Sequence, residues 1–413
     1  MPMDKETLKT HLQSTVRWLA ILIIRKYQPG IIAVTGSAGK TSTKNALYTV
    51  LKDSRRVRAT SANFNNALGV PLTILGDWKE IKGNFFWVKV ILISVLRLIF
   101  PLPYPEVLVL EYGIDRPGDM KYLLDIAKPQ IAVITAIGEI PVHVEFFSGP
   151  EALAREKSKL VESLPAGGFS VLNYDDEIVL GMGERTRSRA VTFGFKEGAE
   201  MRISNFEQRM EGLRPSGISF KLNYGGNCVP VRLDNCFGKV QASAAAAAAC
   251  VGLLFGMNLV KIVGALGNYE TPPGRGRILD GVKKTFIIDD SYNASPLSMS
   301  AALDTLHELK AKRKIAVLGD MLEIGEYTTE AHEHIGELVP KRADLLVTIG
   351  SRAKFIADSA IKKGMPKKNV RSFDTADEAK LPVQELLRQG DLVLVKASHS
   401  IGLEKIVEEI KTV

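Results

Sequence analysis

The feature that most constrains the fold is a glycine-containing turn between a short apolar run and a helical pattern. Residues 31–34 are Ile-Ile-Ala-Val, and they are followed by Thr35-Gly36-Ser37-Ala38-Gly39-Lys40-Thr41-Ser42. A strand, a glycine turn, Lys-Thr and a helix in this order are the context of a phosphate-binding P-loop. The two glycines allow the backbone N–H groups to approach phosphates closely. Lys40 would then reach the β- and γ-phosphates, and the hydroxyl of Thr41 or Ser42 would lie on Mg²⁺.

The spacing of this turn differs from that of the usual P-loop. Val34 stands where the first glycine is expected, so the loop is T-G-x-x-G-K-[ST]. The alternative interpretation is a strand-to-helix turn with an incidental lysine. The agreement between motif and context favours the P-loop, and the sequence therefore predicts an ATP site here.

Length and charge narrow the class of protein. A chain of 413 residues exceeds what one hydrophobic core usually serves, so two or three domains are expected. The net charge of +8 is mild, and no basic stripe with interleaved aromatic residues is present, so nucleic acid is not predicted as a partner. Cys228, Cys236 and Cys250 lack zinc-ligand spacing, and this small odd number suits a reducing cytoplasm.

The apolar patterns predict an α/β protein with three regions. Residues 1–28 form a helical segment, residues 29–270 a central P-loop domain with a mostly parallel sheet, and residues 271–413 a Rossmann-like, doubly wound C-terminal domain. Near-continuous apolar runs are typical of buried parallel strands. In the central domain such runs cover 106–110, 131–135 and 168–173, and in the last domain 285–288, 314–318, 345–349, 370–373 and 392–396.

A long apolar stretch, residues 85–103, lies in an apparent insertion at about 79–104. Its length is marginal for a membrane span and it contains Lys89 and Arg97. One interpretation is an interfacial helix with Trp87 and the two cations at the level of the lipid headgroups, which predicts peripheral contact with the inner face of the membrane. The alternative is a helix packed on the core or at a dimer interface, and the oligomeric state is left open.

Three further residues follow strands of the predicted sheet. Glu111 ends one strand, His143 lies in the loop after another, and Lys157 follows in a helical pattern. Ligands of open α/β sheets bind beyond the carboxyl ends of the strands. Each residue alone is more often solvated or hydrogen-bonded than functional, but beside a P-loop they would suit a Mg²⁺-phosphate site.

These motifs together resemble the Mur ligase family, the ATP-dependent amide ligases of peptidoglycan precursor synthesis. The resemblance runs from about residue 31 to the C-terminus, and two of its strings, Asp-Asp-Ser-Tyr-Asn-Ala and Leu-Gly-Asp-Met-Leu-Glu, are specific to the branch that uses D-alanyl-D-alanine. The matching strings are residues 35–42, 63–73, 111–113, 274–277, 289–296, 317–326 with His332, and 395–398.

The resemblance implies a role for each residue of the metal and phosphate site. Lys40 and Thr41 would bind the ATP phosphates and the first Mg²⁺, and Glu111 and His143 would ligate metal. Lys157 resembles the family lysine that reacts with CO₂ to form a carbamate, whose oxygens hold a second Mg²⁺. Lys40, His143 and Lys157 are therefore the predicted catalytic residues.

The resemblance also assigns residues to the nucleotide and to the two other substrates. Arg275 or Arg277 would contact the phosphates from the interdomain linker, while Asp290 and Asn293 would hold the ribose and base. The acceptor carboxylate and the incoming amine, an amino acid or dipeptide, would be bound by Asn65, Asn66, Asp320, Glu323, His332, Lys396 and Ser398.

The implied reaction forms an amide through an acyl phosphate. Members of the family normally begin with a small domain that holds the UDP part of the precursor, and only about thirty residues precede the P-loop strand here. The sequence thus predicts that this domain is missing, which leaves two acceptors open, a small-molecule muramoyl peptide and a lipid-linked peptide. Other hypotheses are a ligase of the polyglutamate or cyanophycin type and a non-catalytic nucleotide-binding scaffold.

Overall fold

The structure is a computed structural model that describes residues 5–60, 64–78, 80–83 and 85–412, with side chains from residue 10 onward. Asn63, which opens one of the matching strings, and residues 79 and 84 of the predicted insertion lie outside the described residues. Among the helices that are described, none has both the length and the apolar character needed to cross a bilayer.

The central sheet is built around the P-loop strand. Its strands are β1 (Gly30–Thr35), β2 (Val57–Ala59), β3 (Val107–Glu111), β4 (Ile131–Ile134), β5 (Phe169–Asn173), β6 (Arg189–Gly194), β7 (Met201–Glu211), β8 (Arg214–Tyr224) and β9 (Asn227–Asp234). Within the described residues these nine strands form one sheet in the order β2-β3-β1-β4-β5-β6-β7-β8-β9. The pairs from β2 to β7 are parallel, and the β7–β8 and β8–β9 pairs are antiparallel. The sheet is therefore mostly parallel, with an antiparallel flank formed by β7, β8 and β9.

Helices cover both faces of this sheet. They are α1 (Lys5–Tyr27), α2 (Lys40–Leu51), α3 (Gly69–Leu75), α4 (Phe86–Ile99), α5 (Asp119–Ile126), α6 (Pro150–Glu162), α7 (Glu177–Gly181), α8 (Lys239–Leu254) and α9 (Leu259–Leu266). One core lies against α2, α8 and α9, and the other lies against α1, α3, α4, α5 and α6. The alanine run of α8 is buried, and at Gly252 a side chain would come within 3.0 Å of Val50 on α2. Small residues therefore allow the P-loop helix to pack closely on α8.

The C-terminal domain has a second sheet with one antiparallel edge. Residues 277–396 contain β10 (Arg277–Gly281), β11 (Thr285–Asp289), β12 (Arg313–Gly319), β13 (Leu345–Ile349), β14 (Val370–Phe373) and β15 (Asp391–Lys396). Their order is β10-β11-β15-β12-β13-β14, with only the β10–β11 pair antiparallel. The helices are α10 (Pro296–Glu308), α11 (Thr328–Leu338), α12 (Lys354–Lys362), α13 (Ala376–Leu386) and α14 (Glu404–Ile410). The predicted α/β class is thus confirmed, with a mostly parallel sheet in the central region and a doubly wound sheet in the C-terminal region.

The apolar stretch 85–103 forms α4, but its residues are placed differently from the sequence prediction. Trp87 is only partly exposed and lies edge-on to the buried Phe86, at a centroid distance of 5.0 Å. Arg97 turns inward and donates to the carbonyl of Leu75. Neither residue is therefore at the outer surface of the helix, where an interfacial helix would need them, whereas Lys89 is exposed.

Candidate active site

The carboxyl ends of both sheets face one cleft between the two domains. This is the edge at which open α/β sheets bind ligands. The central domain contributes the P-loop and the ends of β1 and β3, and the C-terminal domain contributes the ends of β11 and β15. The cleft has a volume of about 250 Å³ and is lined, among others, by Ser37, Ala38, Gly39, Lys40, Ser42, Asn65, Glu111, Asp115, His143, Arg275, Asp290, Tyr292, Asn293 and Lys396. Most of the predicted site residues are therefore brought together.

The P-loop conformation depends on its two glycines. Gly36 has φ 147°, and a Cβ there would lie 2.1 Å from the hydroxyl oxygen of Thr135. Gly39 adopts the left-handed conformation, with φ 83°, immediately before α2. The Nζ of Lys40 donates to the carbonyl oxygen of Gly36 at 3.0 Å. The loop thus has the close approach and the helix N-terminus that an anion site needs.

Glu111 is a buried carboxylate surrounded by cations and donors. Its Oε2 accepts from the Thr41 hydroxyl at 3.1 Å, its Oε1 accepts from the Asn65 amide at 3.2 Å, and the Nζ of Lys44 lies 3.5 Å from Oε2. Burial opposes ionisation, but the positive charges of Lys44, Lys40 and Arg275 outweigh it, so the pKa of Glu111 is lowered from its usual value. An ionised carboxylate beside a threonine hydroxyl is an oxygen donor set that fits Mg²⁺.

Lys157 on α6 is directed at the same loop. Its side chain is almost fully buried, with 1 % exposed, and its Nζ donates to the carbonyl of Gly36 at 3.0 Å. Burial, together with the positive charge of Lys40, lowers the pKa of Lys157 to about 7. A large part of this amine is therefore neutral at neutral pH, unlike an exposed lysine amine.

His143 joins the two domains. It adopts a left-handed backbone conformation, with φ 73°, and its ring lies between two carboxylates. Nε2 is 3.3 Å from Asp115 of the central domain, and Nδ1 is 2.8 Å from Glu323 of the C-terminal domain. The contact with His143 lowers the pKa of Glu323. Both ring nitrogens thus face carboxylates, and metal ligation by His143 stays a prediction. In the described part of the chain, no group of three or more His, Cys, Asp and Glu side chains forms a metal-binding cluster.

Arg275 and Arg277, which the sequence did not distinguish, have different positions. Arg275 lines the cleft, and its guanidinium lies 3.9 Å from the ring centroid of Tyr292 and donates to the Thr41 hydroxyl at 3.3 Å. It therefore links the C-terminal domain to the P-loop. Arg277 is exposed on β10 and is not among the residues that line the cleft.

A buried ion pair lies on the C-terminal side of the cleft. The Nζ of Lys396 is 2.6 Å from Asp290 and donates to the carbonyl of Asn293 at 2.9 Å. Burial raises the pKa of Asp290, and the charge of Lys396 opposes this rise. The pair fixes the loop after β11 against the end of β15. Next to it, the ring of Tyr292 stacks on His399 at a centroid distance of 5.2 Å.

The other predicted substrate residues of the C-terminal domain mainly support one loop. His332 is buried, burial lowers its pKa, and its Nε2 accepts from the backbone N–H of residue 321 at 3.0 Å. Because Nδ1 lies 2.6 Å from the carbonyl of Thr328, the proton of this neutral ring is on Nδ1. The Ser398 hydroxyl accepts from the N–H of residue 322, and Asp320 accepts from the N–H of residue 353. The side chain of Glu323 extends from this loop and contacts His143.

Asn66 has a local role in the structure. Its side-chain oxygen accepts from the backbone N–H groups of Leu68 and Gly69, at 3.1 and 3.0 Å, just before and at the start of α3. It is exposed and does not line the cleft, whereas Asn65 contacts Glu111. Of these two predicted substrate residues, Asn65 therefore lies in the cleft and Asn66 does not line it.

Sequence reasoning missed two charged residues of the site. Lys44 is buried beside Glu111, and the available signal was its position four residues after Lys40 on the same helix, hence on the same face. Asp115 follows the end of β3 and contacts His143. No sequence pattern distinguished it from a surface loop carboxylate.

Two family models match the chain. The Mur ligase middle domain matches residues 34–82 and 93–252, and the Mur ligase, glutamate ligase domain, matches residues 274–399. The gap between the two matches, residues 253–273, ends just before Arg275. The first match passes over residues 83–92, which include the first half of α4.

Related proteins cover most of the chain. The UDP-N-acetylmuramoyl-tripeptide–D-alanyl-D-alanine ligase of Bacillus subtilis (strain 168) is 30 % identical over 399 residues, which are 96 % of this chain and 79 % of that protein. The enzyme of that name from Mycobacterium tuberculosis (strain ATCC 25618 / H37Rv) is 31 % identical over 92 % of this chain and 72 % of its own length. The MurF ligase of Thermotoga maritima, solved in complex with ADP, superposes with a TM-score of 0.80 at 27 % identity, covering 96 % of this chain and 83 % of its own. The chain therefore belongs to the Mur ligase family.

Proposed function

We propose that this protein joins a D-alanyl-D-alanine-like amine to a muramoyl-peptide carboxylate through an acyl phosphate, with ATP as the phosphoryl donor. The observation that carries the proposal is the cleft in which a P-loop, a buried ionised carboxylate and residues of both domains meet. The relatives that bear the name of this ligase support the choice of substrates. Because the reaction consumes ATP, we place it in the cytoplasm.

The reaction proceeds in two steps. A carboxylate oxygen of the acceptor attacks the γ-phosphorus of ATP, the bond to ADP breaks, and an acyl phosphate forms. The amine then attacks the acyl carbon, loses a proton, and displaces inorganic phosphate as the amide forms. Both reactants of the first step are anions, so the positive charges of Lys40 and Arg275 lower its electrostatic barrier. This is the chemistry to which a cation-rich cleft is suited.

Glu111 and Thr41 would hold the first Mg²⁺, because they present a carboxylate and a hydroxyl oxygen side by side. The metal would supply additional neutralisation of phosphate charge. Arg275 already donates to the Thr41 hydroxyl from the C-terminal domain. Through this contact, binding of nucleotide at the P-loop would affect the position of the C-terminal domain. Asp290 and Asn293 would contact the nucleoside from the opposite wall.

We also propose that Lys157 reacts with CO₂ and that its carbamate takes part in holding a second Mg²⁺. Only the neutral amine is a nucleophile, and the burial of Lys157 lowers its pKa to about 7. The amine nitrogen would bond to the carbon of CO₂ and lose one proton to solvent. The resulting carbamate anion would add an oxygen donor set next to the P-loop, where the side chain now contacts Gly36. The two effects make Lys157 better suited to carbamylation than an exposed lysine.

The experiment that tests the function measures ADP and phosphate release with Mg²⁺-ATP and bicarbonate. UDP-N-acetylmuramoyl-tripeptide and D-alanyl-D-alanine are supplied together and then each is omitted. We expect release only when both are present, with the peptide product identified by its mass. Lys40→Met is expected to abolish release, and Lys52→Met, an exposed lysine one residue beyond the other end of α2, is the matched control. Release without product, or product from Lys40→Met, would overturn the proposal.

A lipid-linked peptide is the alternative acceptor, and the exposed apolar face of α4 favours it. In that case the soluble precursor gives no product, whereas the same assay with a lipid-linked muramoyl peptide does. A ligase of the polyglutamate type would instead release phosphate with another carboxylate. A non-catalytic scaffold would release phosphate with none of these acceptors.

A further inference from the structure

The outer face of α4 is apolar and is not covered by the described part of the protein. The inner face, with Phe86, Val90 and Ser94, is buried against α1 and α3. A helix that is apolar on all sides normally has partners on all sides. The outer side chains are instead 37 to 65 % exposed, and they recur at intervals of three, four or one residues along one face: Val88, Leu92, Val95, Leu96 and Ile99.

The apolar surface continues beyond both ends of the helix. Phe85, before α4, is 79 % exposed, and Phe100 and Leu102, after it, are also exposed. We call these three residues and the five outer residues of α4 the α4 patch. A contiguous apolar surface of this kind is uncommon on a monomer and marks a site of interaction with another apolar surface.

The α4 patch is held in place by α1. The Nζ of Lys26 donates to the carbonyls of Arg97, Leu98 and Phe100 at 2.8, 3.0 and 3.0 Å, which are carbonyl groups left free at the end of the helix. The Tyr27 hydroxyl also donates to the carbonyl of Arg97, at 3.0 Å. These bonds fix the C-terminal end of α4 to the domain, so the patch is a defined surface.

The charge around the patch identifies the partner. The sequence from Ile81 to Pro105 contains three cations and no carboxylate. Lys82 is paired with Glu80 and Arg97 turns inward, whereas Lys89 is exposed on α4 itself. Arg25, next to the lysine that caps α4, is exposed as well. An anionic surface complements these charges. A symmetric contact between two copies would place the same cations near each other, which is unfavourable.

The dimensions of α4 indicate how it would meet such a surface. Its 14 residues are about 21 Å long at 1.5 Å per residue, less than the roughly 30 Å of a bilayer core. We propose that the α4 patch lies in the headgroup region of an anionic lipid bilayer, with the helix parallel to the membrane plane and Lys89 at the lipid phosphates. This goes beyond the proposed function, since it concerns a surface outside the cleft.

The family match omits one part of this surface and includes the other part, from Val95 to Leu102. The match passes over residues 83–92, which contain Phe85, Val88, Lys89 and Leu92. A contact made through these residues would therefore be an addition to the shared fold, and the ligase chemistry of the cleft would not depend on it.

The test is co-sedimentation of the full chain with vesicles, either of phosphatidylcholine alone or with about 30 % phosphatidylglycerol, a content high enough for the anionic surface charge to attract basic residues. We expect binding to the anionic vesicles that weakens at high salt. The double variant Leu92→Ser/Ile99→Ser is expected to lower the partition coefficient by tenfold or more, because both side chains lose apolar transfer. Lys89→Glu should weaken binding to anionic vesicles only.

The matched control changes two exposed apolar residues elsewhere. Val260 on α9 is 69 % exposed and Leu381 on α13 is 54 % exposed, and Val260→Ser/Leu381→Ser should bind vesicles as the unchanged protein does. Thermal unfolding of each variant verifies its folding. Phosphate release with soluble substrates, measured on Leu92→Ser/Ile99→Ser, should not change, so failure of the membrane proposal and failure of the ligase proposal give different results.

Three results would overturn the membrane proposal. One is the absence of binding to anionic vesicles, and another is undiminished binding by Leu92→Ser/Ile99→Ser. The third is a dimer in sedimentation velocity that this variant dissociates, since the patch would then be an interface between two copies of the chain.

Discussion

Lys157 provides the sharpest quantitative test of the site. Because burial and the nearby Lys40 charge lower its pKa to about 7, its neutral fraction should rise from about 9 % at pH 6 to about 91 % at pH 8. The rate of carbamate formation at a fixed concentration of dissolved CO₂ follows this fraction. It should therefore rise about tenfold between these pH values and then level off. A lysine with an unshifted pKa near 10.4 would instead give a rise of about a hundredfold that continues above pH 8.

The assay follows the return of ligase activity after dissolved CO₂ is added to protein that has been stripped of it. A parallel sample with ¹³CO₂ identifies the carbamate by NMR. Lys157→Met should give no carbamate signal at the site and lose amide formation while retaining weak ATP binding. Lys159→Met is the control, since this partly exposed lysine is on the same helix but pairs with Glu156 and not with the P-loop. A hundredfold rise without levelling, or unchanged amide formation in Lys157→Met, would refute the reasoning.

The lowered pKa of Lys157 also predicts how the stability of the protein depends on pH. Between pH 7 and 10.5 the unfolded chain protonates Lys157 and the folded protein does not, so the free energy of unfolding should increase as the pH rises through this window. Across the whole window the free energy of unfolding should increase by about 5 kcal/mol, since the pKa of Lys157 is lowered from 10.5 to about 7 and one pH unit corresponds to about 1.36 kcal/mol. Lys157→Met should remove this part of the pH dependence. The check is the urea midpoint of both proteins, measured without CO₂ at pH 7 and pH 9.

Further predictions concern the rest of the cleft. Arg275→Ala should weaken ATP binding about tenfold, because it removes the positive charge that lies on Tyr292 beside the P-loop. Arg277→Ala, on the exposed side of β10, should leave the calorimetric dissociation constant unchanged. Gly36→Ala should destabilise the fold by about 2 kcal/mol or more and abolish nucleotide binding, whereas Gly167→Ala, with open space around it, should alter the thermal midpoint little. Lys44→Met removes a buried partner of a carboxylate, which should cost about 3 kcal/mol of stability and move the acid limb of the activity profile to higher pH.

The parts of the fold that the sequence predicted are those in which local pattern and burial agree. The strand at 345–349 has the predicted bounds, because a run of buried, mostly apolar residues begins and ends with it. The strand at 370–373 also has the predicted bounds, although its residues are half-buried or exposed. Two strands, β2 and β10, were not predicted. Each lies at the edge of its sheet and has exposed or half-buried residues, so neither has the apolar run that identifies a central strand.

The sequence allowed a prediction of which residues form the site, but not of which residues contact each other. The P-loop and Glu111 have local signals, a motif and a strand end. The choice between Arg275 and Arg277 had none, because both are linker arginines and only the direction of β10 separates them. The pairing of His143 with Glu323 joins residues 180 positions apart in two domains, and this pairing depends on tertiary structure alone.

The contacts at Gly36 connect the two proposed events of the site. The ammonium groups of Lys40 and Lys157 both donate to its one carbonyl oxygen, each at 3.0 Å, and the positive charge of Lys40 disfavours the protonated form of Lys157. Burial is the main reason that the Lys157 amine is available to CO₂, and this repulsion adds to it. Once Lys157 becomes an anionic carbamate, the same proximity becomes attractive, and Lys40 no longer needs the carbonyl as its partner. A triphosphate that draws Lys40 away from Gly36 would reduce the repulsion and favour protonation of an unreacted Lys157. Carbamylation should therefore precede nucleotide binding, because the amine is most reactive while Lys40 still lies next to it.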